Sequence, residues 1–379
     1  MKQRSTWAEV SIDQVRRNIS IIKDQFKDLK KQPKLCGIVK ADAYGHGLKG
    51  FVRLLAENRL VDCVAVGKIS ELRKLMEIKL PPGFEILLLG NATAEEIEAD
   101  IKGRILDPGR VIFSIYNKEQ FVNINRVAVN CGAQVKAHLR VDVWNSGMGM
   151  GPDELKEFEG EMFTASNLKL TGIYSHLYTS YSEDLPVIKN ELEMFKAVVD
   201  GLKPENRAGL TAHILNSALI FKFPEYAFDM VRAGSSMYGL PCGDEGKLTP
   251  LMRVCANVFD VRVVPGTVPL SYEGNDTRNR DRKIARIMFG YWDSPLLLTQ
   301  KDIRISINGH LFKPADEICM DNLCIDVTGD ESVKVGDTAV LMGEEDGVRL
   351  MDILNRNNIH YVHSEWMCMT ATRLEKVYL

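Results

Sequence analysis

Leu35-Cys36-Gly37-Ile38-Val39-Lys40-Ala41-Asp42-Ala43-Tyr44-Gly45-His46-Gly47 joins an unbroken apolar run, a lysine and a glycine-bearing turn. A short, continuous apolar run reads as a strand covered on both faces, the pattern of a parallel sheet flanked by helices. Gly50–Leu60 follows with amphipathic spacing, so the stretch is one strand–helix unit. The same alternation continues through Cys63–Gly67, Phe84–Leu89, Val111–Ile115, Val135–Val141, Leu170–Ser175, Leu210–Leu215 and Met230–Arg232. Between these runs lie helix-like segments: Ser70–Ile78, Ala94–Ile101, Lys118–Val129, Glu154–Phe163 and Pro186–Leu202. In the last of them Ile188, Leu192, Phe195 and Val199 recur at helical steps. Eight strand–helix units predict a closed (β/α)8 barrel of the TIM type, an α/β fold.

Beyond Gly239 the pattern changes. Pro241, Gly243 and Gly246 mark a polar connection, after which strand-like runs follow without long helices between them. The main ones are Val258–Val264, Ile284–Phe289, Ile303–Ile307, Leu323–Val327 and Thr338–Met342. Turn residues such as Asn308-Gly309 and Gly329-Asp330 separate them. A second, mostly β domain is therefore expected over residues 243–379, with the alternating segment near the N-terminus (residues 1–11) adding a strand. The barrel is expected over residues 12–242.

Length and charge agree with this division. A chain of 379 residues is long for one compact domain and suggests two. The net charge of −3 is spread along the sequence without a long basic or acidic block, which argues against nucleic acid or an anionic membrane as partner. No apolar run is long enough to span a bilayer, and the start of the chain lacks an apolar signal core. The eight cysteines are scattered without a CxxC pair, so a zinc or redox motif is not expected, and no metal site is assigned. Reduced thiols in a cytoplasmic protein are the expectation.

A barrel of this type carries its chemistry at the C-terminal ends of its strands. Lys40 closes the first strand, where desolvation would favour the neutral, nucleophilic amine. The sixth ends at Ser175-His176 and the seventh at Asn216-Ser217-Ala218, a helix start able to hold a phosphate. Arg232-Ala233-Gly234-Ser235 closes the eighth. Singly, each residue has a structural reading. Lys40 suits a surface lysine, His176 a core histidine, Arg232 an ion-pair partner and Asn216-Ser217 a helix cap. Together on one rim they form the inventory of a phosphorylated-aldehyde cofactor site.

Val39–Gly47 also resembles the cofactor signature of the alanine racemase family, in which the lysine carries pyridoxal 5'-phosphate. Further stretches resemble the family in order: His176, His213 with Asn216-Ser217-Ala218, Val231-Arg232-Ala233-Gly234 and Tyr238-Gly239. Leu270-Ser271-Tyr272, Gly290-Tyr291 with Asp293, and Cys319-Met320-Asp321 complete them. The resemblance implies a fold-type III enzyme, a barrel followed by a β domain. It makes Lys40 and Tyr272 the two bases, acting on opposite faces of the substrate across a head-to-tail homodimer. A phenol has an ordinary pKa near 10, so Tyr272 would need a cation close by. Tyr44, Asn216, Ser217, Gly234 and Ser235 would serve the phosphate and its surroundings. His176 would pack on the pyridine ring, Arg232 would face its nitrogen, and Met320 and Tyr291 would lie at the substrate. An arginine at that nitrogen does not readily protonate it, which favours racemisation over decarboxylation.

The chain departs from the family in Arg140-Val141-Asp142-Val143-Trp144-Asn145-Ser146-Gly147-Met148-Gly149-Met150. Relative to the usual run it has three extra residues. Arg140 replaces a lysine that can carry a carbamate, and Met150 replaces an arginine at the cofactor. Two readings stay open: Arg140 supplies the missing positive charge toward the cofactor and substrate, or it makes a structural salt bridge. The motif at Gly290-Tyr291 lacks its usual following arginine, Glu317 stands where an arginine is common, and Thr372 replaces a tyrosine near the phosphate. These changes suggest a roomier, more acidic entrance. The expected function is alanine racemisation, supplying D-alanine for cell-wall synthesis. Alternatives are a racemase for serine or for a basic amino acid such as ornithine or lysine, and a cofactor-binding protein with little turnover.

Overall fold

The computed structural model describes residues 4–379 except 145–146, 244–245, 272–279, 295–299, 360–362 and 372. It divides into two compact units. One comprises Arg16–Ala43 and Leu48–Thr249; the other comprises Met1–Val15, Tyr44–Gly47 and Pro250–Leu379.

The first strand, β1 (Thr6–Val10), belongs to the second unit. The barrel unit holds β2 (Lys34–Ile38), β3 (Cys63–Val66), β4 (Glu85–Leu88), β5 (Val111–Ile115), β6 (Val135–Arg140), β7 (Leu168–Tyr174), β8 (Thr211–His213) and β9 (Met230–Ala233). They form one sheet in the order β8-β7-β6-β5-β4-β3-β2-β9, parallel throughout. The two ends of that sheet approach each other. Asp229 donates its backbone N–H to Ala212 O at 3.0 Å, and Arg232 donates to Leu215 O at 3.0 Å. The result is the nearly closed, TIM-like barrel expected. Every residue of β3, β5 and β9 is buried, as strands covered on both faces require.

Helices follow the strands. In the segment Leu185–Asp200, Pro186 lies in the first turn and the Asp184 carboxylate accepts the Val187 N–H at 3.2 Å. Ile188, Leu192, Phe195 and Val199 are all essentially without solvent contact. Burial of each such side chain stabilises by about 1.5–3 kcal/mol. The strand before this helix, β7, begins two residues earlier than the apolar run suggested, because Leu168 is also buried.

One local conformation runs against the sequence reading. Ala41, Asp42 and Ala43, directly after Lys40, have φ of 54°, 54° and 55°, a left-handed turn made without glycine. Such a conformation costs roughly 1–2 kcal/mol per residue. It is held at both ends: Ala41 N–H reaches Glu71 at 2.6 Å, and Leu48 N–H reaches Asp42 Oδ1 at 2.8 Å.

In the second unit, β1 lies between β10 (Met252–Val264) and the last strand of the chain. It runs antiparallel to the first and parallel to the second. β10 continues to pair with β11 (Arg282–Ile287) beyond a register shift at Val258/Asp260. β12 (Ile305–Ile307), β13 (His310–Phe312), β14 (Leu323–Asp326), β15 (Thr338–Met342) and β16 (Glu375–Tyr378) complete this sheet. Near the chain end, Tyr378 Oη donates to a carbonyl of the Tyr44–Gly47 segment, at 2.8 Å to His46 O and 2.9 Å to Gly47 O. A Cβ at Gly45 would come within 2.6 Å of Met367 O, so this close approach requires glycine. Five cysteines are buried and three, Cys131, Cys319 and Cys368, only partly so.

Candidate active site

Successive parallel strands point their C-terminal ends to one rim of the barrel unit, and the polar residues gather there. Lys40, Tyr116, Arg140, Tyr174, His176 and Arg232 line a common cavity of about 730 Å³. The expected desolvation of Lys40 is not seen: the lysine is exposed in the single chain, because it leaves the strand at the mouth of that cavity.

Arg232, at β9, is 3% exposed, and both of its terminal nitrogens bond within the barrel unit. Its Nη2 donates to Ser175 O at 2.8 Å and Ile214 O at 3.2 Å. Its Nη1 donates to His213 O at 3.2 Å and to His213 Nδ1 at 2.7 Å. Burial, above all, lowers its pKa to about 10, so it remains a cation at neutral pH. A guanidinium only donates, which fixes the histidine tautomer: Nδ1 of His213 accepts and Nε2 carries the proton. That Nε2–H points to His138 Nδ1 at 2.9 Å. Burial first, then the Arg232 charge, keeps His213 well below its ordinary pKa. Burial likewise lowers His138 to about 3, with Lys34 and Arg232 adding to the effect. Tyr174 stacks flat on His213, with ring centroids 4.9 Å apart, and donates to Ser114 Oγ at 2.8 Å.

His176 borders the cavity. Withdrawal into the cavity wall, then the charges of Arg232, Arg140 and Lys40, lower its pKa, although part of its ring still meets solvent. Next to this cavity a second group of residues forms around Ser217. Its Oγ accepts the N–H of Gly234 at 2.9 Å and of Ser236 at 3.2 Å, and lies 3.0 Å from Ser236 Oγ. Asn216 caps the short helix Ser217–Lys222 through Leu219 N–H and donates to Ser180 Oγ at 2.9 Å. Asn216, Ser217, Gly234 and Ser235 are thus brought together, at the ends of β8 and β9, but not among the lining residues of the main cavity.

The remaining expected residues lie in the second unit. Tyr291 N–H donates to Cys319 O at 3.1 Å and Trp292 N–H to Met320 O at 3.1 Å, so Tyr291 and Met320 sit on facing loops. Asp293 secures this pair. It accepts Gly290 N–H at 2.9 Å and Arg373 Nε at 3.0 Å, while Arg373 also bonds Asp321 at 2.7 Å. Tyr44, with φ 52°, ends the left-handed turn. Tyr272 and Thr372 lie outside the described residues. Among the described residues no carboxylate pairs with Arg140 in the structural salt bridge considered for it; Asp142 accepts the backbone N–H groups of Trp144, Gly147 and Met148 in its own loop. Sequence reading missed Glu71, Tyr116, His138 and Arg373. His138 carried a signal: it stands between the apolar Ala137 and Leu139 and faces Gly172 in the next strand.

Fold and rim together define a (β/α)8-barrel protein with a lysine and an arginine–histidine cluster where barrel enzymes do chemistry. Models of the alanine racemase N-terminal domain and C-terminal domain match residues 10–241 and 251–378. The chain belongs to the alanine racemase family. It is 31% identical to alanine racemase of Clostridium novyi (strain NT), over 99% of this chain and 96% of that protein. A solved alanine racemase of Clostridium difficile 630 superposes with a TM-score of 0.86 at 29% identity, covering 100% of this chain and 97% of that one. Alanine racemase from Bartonella henselae, solved with covalently bound pyridoxal phosphate, shares the fold at 22% identity, with a TM-score of 0.78 and full coverage of both chains.

Proposed function

We propose that this protein is a pyridoxal-phosphate-dependent amino-acid racemase that interconverts L- and D-alanine. The observation that carries the reading is Arg232, a buried cation locked by His213 in the same cavity as Lys40. The residues present suit the cofactor. A primary amine at the cavity mouth matches its aldehyde, and the Ser217 hydroxyl, whose oxygen accepts from Gly234 and Ser236, keeps its own O–H as a donor for the phosphate. When bound, the cofactor supplies an electron-withdrawing ring that acidifies the α-proton.

Lys40 would bind the cofactor and move a proton at the α-carbon on one face. Tyr272 is the proposed base on the other face, supplied by the partner in a head-to-tail homodimer. Racemisation needs two such bases, since the proton removed on one side must be returned on the other. Arg232 would donate to the ring nitrogen without transferring its proton, limiting charge delocalisation and with it side reactions. His176 would pack against the ring, and Ser217, Asn216, Gly234, Ser235 and Tyr44 would hold the phosphate end. Met320 and Tyr291 would contribute to the substrate entrance from the second unit. In this reading the enzyme works in the cytoplasm, providing D-alanine for the cell wall; among the described residues no helix is long and apolar enough to cross a membrane.

One observation favours a second substrate: Glu95 and Glu119 line the outer part of the cavity and offer negative charge to a basic side chain. Chiral analysis after incubation with L-alanine, L-serine, L-ornithine and L-lysine separates the readings. D-alanine is the expected main product. D-ornithine or D-lysine in its place would move the specificity to the acidic wall, and no D-isomer from any of them would refute the racemase assignment.

A further inference from the structure

Arg140 ends β6 inside the reaction cavity and is only 8% exposed. Its Nη2 donates to Tyr178 Oη at 3.2 Å, and its guanidinium carbon lies 5.5 Å from the centre of the Tyr116 ring. Tyr116 is itself tied through its hydroxyl to Leu89 O, so the ring is a fixed platform. The buried Nε has no hydrogen-bond partner, and among the described residues no carboxylate pairs with the group. A buried cation left so is costly unless an anion arrives. Arg232, a second buried cation, lines the same cavity, so positive charge already gathers at its inner end.

We infer that Arg140 is an anion seat of the cavity, and that its ligand is the carboxylate of the amino-acid substrate. The planar guanidinium fork matches a carboxylate in geometry and charge. Its side chain is oriented before the ligand arrives by Tyr178 and Tyr116, which carry no charge to compete. The inference rests on the cavity being the site of the proposed racemisation. An oxygen anion on the cofactor offers similar chemistry, so the test must separate the two sources.

Propionate, a carboxylate without the amine, and its neutral analogue propionamide are titrated calorimetrically into cofactor-loaded wild type, Arg140→Met and Arg140→Lys. Wild type is expected to prefer propionate by about tenfold or more, the scale of one charged hydrogen-bonded pair. Arg140→Met should lose that preference and raise KM for alanine by a similar factor, with kcat, cofactor affinity and the cofactor absorption band little changed. Arg140→Lys should retain part of the preference. Unfolding of the cofactor-free Arg140→Met chain should occur at no lower temperature than wild type, because an unpaired buried charge has been removed. Retention of the propionate preference in Arg140→Met overturns the inference. So does a shifted cofactor band with propionate binding intact, which would assign the guanidinium to the cofactor. If Arg140→Met does not fold, equal wild-type affinity for propionate and propionamide refutes the seat, and a wild-type preference weakened in Arg140→Lys supports it. A propionate preference that depends on Arg140 in a protein forming no D-amino acid would keep the seat and reject the racemase reading.

Discussion

Nη1 of Arg232 and Nδ1 of His213 lie 2.7 Å apart, and the donor can only be the arginine. From this one contact the proton positions of the whole buried series follow, through His213 Nε2–H to His138 Nδ1. The arginine is aimed by an imidazole that is itself aimed by another.

Replacing His213 with leucine removes the acceptor for Nη1 and the donor to His138 together. A hydrogen bond to a charged group is worth about 1.5–3 kcal/mol, so turnover should fall by roughly 10–100-fold. The cofactor absorption band should shift because Arg232 loses its fixed direction. Unaltered kcat and spectrum would show that the carbonyls of Ser175, His213 and Ile214 suffice to hold the arginine.

Acid should destabilise the fold through the same pair. His138 titrates near 3 in the folded protein, below the roughly 6.5 of an unfolded histidine. The unfolded chain therefore binds the extra proton first. The stabilisation is complete above about pH 6.5 and is lost as pH falls toward 3, at up to about 1.4 kcal/mol per pH unit for this one group. Urea midpoints of wild type and His138→Gln across that window should converge or cross as pH falls; parallel curves would contradict the assignment.

Glu71 is the anchor of the lysine turn. Its carboxylate accepts Ala41 N–H at 2.6 Å, Gly67 N–H at 2.8 Å and Lys68 N–H at 3.1 Å. Glu71→Ala should cost about 1–3 kcal/mol in stability, lower cofactor affinity and reduce kcat, with Glu71→Gln intermediate in all three. Loss of stability with full cofactor affinity would confine Glu71 to a structural role.

Gly172 makes room for His138: a Cβ there would sit 2.5 Å from two ring atoms, and the ring is enclosed. Gly172→Ala should lower the thermal midpoint and disturb the His138–His213 contact, visible as a change in imidazole proton resonances. A fully stable Gly172→Ala chain with unchanged resonances would mean that the ring has another place to go.

The eight barrel strands were legible because each is a short apolar run buried on both faces, a pattern set locally. The convergence of Lys40, His176 and Arg232 followed from the rule that barrel strands end on one rim. The left-handed turn was not legible: Ala41, Asp42 and Ala43 carry no propensity for it, and Glu71, thirty residues on, holds it. β13 and β16 were missed as well, since three or four residues give too little alternation and β16 is defined by a partner at the other end of the chain. The partners of Arg140, Tyr178 and the ring of Tyr116, lie 38 and 24 residues away in the chain, which spacing does not tell.

The place of β1 has a consequence for how the molecule is made. Trp7 pairs with Cys255 on one side and with Glu375 on the other. Synthesis proceeds at about 5–20 residues per second, so the first strand to emerge waits tens of seconds for its last neighbour. During that interval the barrel sequence passes through the ribosome whole, and an unpaired β1 edge is exposed to other nascent chains. The side of β1 that β16 covers therefore stays open until the rest of that sheet has been made.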